Sequence, residues 1–142
     1  MTWTSSFTAV EGANAVQVRQ TDVAGNLSQV STYTFTLDTR AASAPGVGLS
    51  SDTGSSTTDK VTKVGTLNVT GVESGAKVEY STDNGATWKT TFSAIEGLNT
   101  VQVRQTDAAG NVSGATNYSF TLDTTAASAP GVGLSSDTGS ST

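Results

Sequence analysis

Apolar and polar residues alternate in short runs along most of the chain. In residues 32–37, Tyr33, Phe35 and Leu37 alternate with Thr32, Thr34 and Thr36. Successive side chains of a strand point to opposite faces, so such a run predicts a strand buried on one side. Residues 15–21 put Val16 and Val18 on one face and Gln17 and Arg19 on the other, and residues 3–10 alternate around Phe7. Further strands are expected at residues 46–49, 66–72 and 77–81, the last with Val78 and Tyr80 inward. The pattern continues at residues 86–90 around Trp88, 91–95 around Phe92 and Ala94, 100–106 and 117–122, with a short edge piece at 61–64. Gly, Asn, Asp and Ser separate the runs, as turns require. Asp83-Asn84-Gly85 predicts a hairpin turn, because Asn-Gly accepts the positive φ of tight hairpins. Sustained apolar spacing of three and four residues is missing, so no helix is expected.

The pattern also repeats at long range. Residues 35–57 recur as residues 120–142 with one difference, Arg40 against Thr125, which gives a period of 85 residues. Such a period redefines what counts as a unit. Residues 42–126 form one complete repeat. Residues 1–41 correspond to the C-terminal half of a preceding repeat, and residues 127–142 to the first strand and loop of a following one. The chain is therefore expected to begin inside one repeat and to stop inside another. An isolated half-repeat would leave strand edges and apolar side chains uncovered. The first 41 residues are thus expected to be disordered alone, paired with another copy, or held within a longer polymer.

Seven strands fall within the complete repeat. That number and length predict an all-β fold of tandem Ig-like or fibronectin III-like seven-stranded β-sandwiches. Leu67, Val69, Val78, Tyr80, Trp88, Phe92, Ile95, Val101, Val103, Tyr118, Phe120 and Leu122 are the core candidates. Trp88 and Trp3 read first as packing residues. A sugar-stacking platform is the sharper alternative.

Composition narrows the function. The net charge is −5 with 7 basic residues and no basic cluster, which argues against nucleic acid and against an anionic membrane surface. There is no Cys and no His, so disulfides, zinc fingers, a Cys nucleophile and a His base are excluded. No run reaches transmembrane length, and no basic segment with an apolar run follows Met1 as in a signal peptide. Ser and Thr are abundant without any one standing out, and the acids lie in turns. No enzyme activity is expected.

Three stretches together carry a family resemblance: Thr106-Asp107-Ala108-Ala109-Gly110-Asn111, Leu122-Asp123-Thr124-Thr125-Ala126, and residues 52–59. In this order within one period they resemble the bacterial Ig-like repeats of giant secreted adhesins, of the biofilm-associated and RTX types exported by type I secretion. The resemblance covers the whole chain. It implies an extracellular, cell-surface extender that holds an adhesive tip, itself outside this fragment, away from the cell. It also implies calcium near the domain junctions, and neighbouring repeats of the same chain as partners. The family's linker resembles Asp-Thr-x-Ala-Pro; here Ala-Ala-Ser-Ala-Pro is longer. The alternative function is a carbohydrate-binding or accessory module of a secreted enzyme.

Strand parity places the acids. With seven strands, the loop after the first strand and the end of the last lie at one end of the sandwich. The loop with Asp107 and Asn111 lies at the other, beside the incoming linker. Calcium takes about six to eight oxygen ligands. The expected sites are Asp38, Asp107 and Asn111 with linker carbonyls, and a second set of Asp52, Asp59 and Asp123 at the far end. Asp22 and Asn26 would serve a preceding junction. The competing reading is that turns favour Asp and Asn for local backbone bonding.

Overall fold

The alternating segments form strands in the computed structural model, which describes residues 1–140; Ser141 and Thr142, the end of the expected third unit, lie outside the described residues. In the first repeat, β1 (Gly12–Val18) pairs antiparallel with β2 (Ser31–Leu37), Ala15 opposite Thr34 and Val16 opposite Tyr33. The complete repeat contributes β3 (Gly46–Leu49), β4 (Val61–Thr62), β5 (Leu67–Thr70), β6 (Lys77–Ser81), β7 (Gly97–Thr106) and β8 (Thr116–Leu122). One layer is the antiparallel pair β3–β5. The other has the order β4-β8-β7-β6, antiparallel except for the parallel β4–β8 edge. The fold is an all-β sandwich with no helix among the described residues.

The core follows the period of two. Val101, Val103 and Gln105 alternate inward along β7 and are fully buried, and Phe120 of β8 joins them. The Phe120 ring meets Phe92 edge-on at 6.3 Å, and Phe92 stacks on Tyr80 at 6.1 Å. Edge-to-face and offset rings are the arrangements their quadrupoles favour.

Several expected elements differ. Residues 3–10 and 91–95 form no strand, and residues 86–90 are reduced to one bridge, Tyr80 opposite Lys89. The complete repeat thus has six strands and two isolated bridges rather than seven strands. The chain after Asn84 (φ 59°) curls around Asp83, whose carboxylate accepts the Thr87 N–H at 2.8 Å and also the Thr87 hydroxyl. Phe92 reaches the core from irregular backbone. Ile95, expected inside, is 67% exposed, because Asn99 fills that turn instead. Asn99 Oδ1 accepts the Ile95 N–H at 2.9 Å, and Nδ2 donates to the carbonyls of Ile95 (2.7 Å) and Gly97 (3.0 Å). β7 therefore starts at Gly97, whose φ of 91° is a left-handed conformation that glycine takes without a Cβ clash.

In the first repeat, Val18 and Tyr33 were expected inward and are exposed, since among the described residues no second sheet faces β1–β2. Phe35 is half-buried against Phe7 at 6.3 Å. Residues 131–134, which copy β3, form no strand.

Candidate functional site: the junction between repeats

The junction is built on the loop that follows β7. Asp107 folds this loop onto itself. Its N–H donates to the Asn111 carbonyl at 3.0 Å, and its Oδ1 accepts the N–H groups of Ala109 (2.9 Å) and Asn111 (2.8 Å). Asp107 Oδ2 accepts from Asn111 Nδ2 at 2.8 Å. These donors favour the ionised form. The Asn111 side chain first of all holds Asp107 below the usual carboxylate range, against a smaller opposing effect of burial.

The linker from the first repeat lies along this loop. Asn111 Nδ2 also donates to the carbonyls of Asp38 (3.1 Å) and Arg40 (3.4 Å). Gln105, fully buried, donates from Nε2 to the Ser43 carbonyl at 2.7 Å and to Gly71 O at 3.1 Å, while its Oε1 accepts the Glu73 N–H at 2.8 Å. The Thr116 hydroxyl donates to the carbonyl of Pro45, which is buried. Upstream, the Glu11 carboxylate accepts the Thr39 N–H at 3.2 Å and its hydroxyl at 2.8 Å. Glu96 repeats this at Thr124 with 3.1 and 2.8 Å. The linker is therefore tied to both repeats, and its downstream hydrogen bonds all go to its carbonyls.

The expected metal residues are placed as follows. Asp38, Asp107 and Asn111 do come together, but Asp38 contributes its carbonyl; its carboxylate turns to the Arg40 N–H at 3.1 Å. Asp22 and Asn26 pair with each other, Asn26 Nδ2 to Asp22 Oδ2 at 2.8 Å. The second set gathers at the far end of the sandwich, where the Asp123 N–H donates to Thr62 O at 2.9 Å. There each acid caps nearby backbone: Asp52 Oδ2 takes the Lys60 N–H, Asp59 Oδ1 the Val61 N–H and Asp123 Oδ1 the Thr125 N–H, at 3.0, 3.1 and 3.0 Å. Asp52 Oδ1 is buried with no hydrogen-bond partner.

As a calcium cage the junction fits poorly. Both oxygens of Asp107 already accept hydrogen bonds, and the carboxylates of Asp38 and Glu11 are engaged by the N–H groups of Arg40 and Thr39. No group of three acidic side chains among the described residues is arranged to hold a metal ion.

A second constellation recurs beside the loop. The Arg104 guanidinium lies 4.0 Å over the Trp88 ring, as Arg19 lies 3.9 Å over Trp3. Trp88 Nε1 donates to Gly85 O at 3.1 Å. Glu79 receives Lys77 Nζ at 2.8 Å and Arg104 Nε at 3.0 Å, and the Lys77 contact leads in holding its carboxyl below the ordinary range. One face of each tryptophan is thus taken by a cation.

Sequence reasoning passed over Gln105, Thr116, Glu96 and Asn99. A signal was present for most of them, since Gln20, Glu11 and Asn14 stand at the same places one period earlier. In that earlier copy Asn14 makes the same three bonds, to the N–H and carbonyl of Val10 and to Gly12 O.

An Ig-like β-sandwich repeat with its neighbour's linker seated in one end is the class that these features define. The family model of the bacterial Ig-like domain matches residues 41–124, and the chain belongs to that family. No curated protein matches the chain.

Proposed function

We propose that this chain is a structural extender segment of a large bacterial surface adhesin. Its repeats stack end to end and hold an adhesive tip away from the cell, in attachment and biofilm formation. The observation that carries this reading is the seated linker: residues 38–45, which join one repeat to the next, are held by a fixed set of hydrogen bonds. Neighbouring repeats are the partners, and no catalytic role is assigned. Modules that mainly contact their neighbours suit a spacer. The reading as a carbohydrate-binding module is weakened where it rested, because Arg104 covers a face of Trp88.

Antibodies raised against the repeat should bind intact cells of the source bacterium without permeabilisation. Binding only after lysis would overturn the surface assignment.

Calcium is the second reading, and one observation favours it at the far end of the sandwich. The buried, unpartnered Asp52 Oδ1 is an oxygen that a cation would satisfy. Asp59 and Asp123 belong to the same end. Extracellular modules bind calcium at about 10⁻⁴ to 10⁻³ M. Calorimetric titration should then show binding in this range that Asp52→Asn removes. Absence of heat at millimolar calcium would leave these acids as turn residues.

A further inference from the structure

We propose that Asn111, Gln105 and Thr116 form a metal-independent binding site for an extended peptide, and that the segment joining the two repeats, residues 38–45, is its ligand. The inference rests on the extender reading and deepens it by naming what holds the junction.

Three observations carry it. First, all the hydrogen bonds go to carbonyls: those of Asp38 and Arg40 to Asn111, Ser43 to Gln105, and Pro45 to Thr116. The donors are neutral amides and a hydroxyl. A cation here would face the Asn111 Nδ2 donor and would have to displace it from Asp107 Oδ2.

Second, the loop is fixed by bonds of its own that do not involve the linker. The Asp22–Asn26 loop one period earlier has the same internal bonds. Asp22 N–H donates to Asn26 O at 2.9 Å, and Asp22 Oδ1 and Oδ2 accept from Asn26 N–H and Nδ2, each at 2.8 Å. Ser28 also bonds Gln20 as Ser113 bonds Gln105, at 2.9 Å in both copies. A preformed receptor loses little entropy on binding.

Third, Gln105 is fully buried, and its amide joins the linker at Ser43 to the β5–β6 turn at Gly71 and Glu73. A loosened linker would leave a buried amide hydrogen unpaired, which costs more than the bond itself contributes.

The chain supplies its own control. The linker beginning at Asp123 has the sequence of the one beginning at Asp38 except at position 125, and both are tied upstream, to Glu96 and Glu11. Only the first is seated downstream. Thr125→Arg makes the two linkers identical and gives each one tryptic bond. Trypsin needs several residues of backbone free of other contacts, so cleavage of a seated linker follows its opening equilibrium.

In EDTA, the bond after position 125 should be cut about five- to tenfold faster than the bond after Arg40, the ratio for one net hydrogen bond of about 1 kcal/mol or slightly more. Adding Asn111→Ala or Thr116→Val should each narrow the difference, and both together should narrow it further, with Gln105 still holding Ser43. Cutting at Arg104 inside β7 reports loss of the fold. If Asn111→Ala brings on that cut, Thr116→Val alone decides, since it leaves the loop intact. Equal rates at both linkers in EDTA would overturn the proposal, as would protection of Arg40 that arises only with added calcium. Either failure leaves the extender reading standing, because a loose tether is still a spacer. Failure of that reading would instead show in surface labelling.

Discussion

Asp83 shows what the acids of this chain do one at a time. Its carboxylate gathers the Thr87 N–H, the Thr87 hydroxyl and the Ser81 hydroxyl, and the Thr87 bonds above all bring its pKa down to about 2. Asp107 and Glu79 are lowered as well, by Asn111 and Lys77 first. Each group is more acidic folded than unfolded, so the folded state binds fewer protons. The stability these bonds contribute is complete above the ordinary carboxylate range and is lost as pH falls toward about 2. Thermal melting followed from pH 7 downward should therefore hold level and then drop below about pH 4. Thr87→Val should shrink the part of that drop due to Asp83. Asn99 acts at the same scale without charge. Asn99→Ala leaves the Ile95 N–H and carbonyl without their partner and should destabilise the module by about 1–3 kcal/mol in chemical denaturation.

At the scale of elements, the sandwich is held by β7 and β8, and the alternation that predicted them is the reason. Val101, Val103 and Phe120 are buried because a period of two puts them on one face. Phe120→Ala should cost about 3–5 kcal/mol, since it removes the ring that Phe92 and Tyr118 pack against. A denaturation midpoint near that of the native chain would show that the core lies elsewhere. The strands at residues 46–49 and 77–81 were legible in the sequence to the residue, because turn residues bound each run. Residues 86–95 were not. Their alternating Trp88, Phe92 and Ala94 mimic a strand, while side-chain bonds from Asp83 bend the backbone away from one. Gln105 and Asn99 stayed hidden for a related reason. A polar residue at an inward position breaks the apolar pattern, and only its hydrogen bonds, formed in three dimensions, explain its burial.

At the scale of the whole molecule, the repeat of 85 residues was the most informative feature of the sequence. It marked the junction, and strand parity correctly put Asp107 and Asn111 beside the incoming linker. Parity could not tell a carboxylate from a carbonyl, so the part played by Asp38 came only from the structure. Belonging to the bacterial Ig-like family agrees with a chain built of such units. The central claim is that successive repeats run end to end with a seated linker. β7 spans 10 residues, about 33 Å at ~3.3 Å each, so a module with its loops is about 35–40 Å long. Small-angle X-ray scattering of a protein with two whole repeats tests the claim most directly. The account predicts a maximum dimension of about 70–80 Å with the profile of a rigid rod, in EDTA as in calcium. A compact particle of roughly 50 Å, or a profile of two modules tumbling freely, would contradict it.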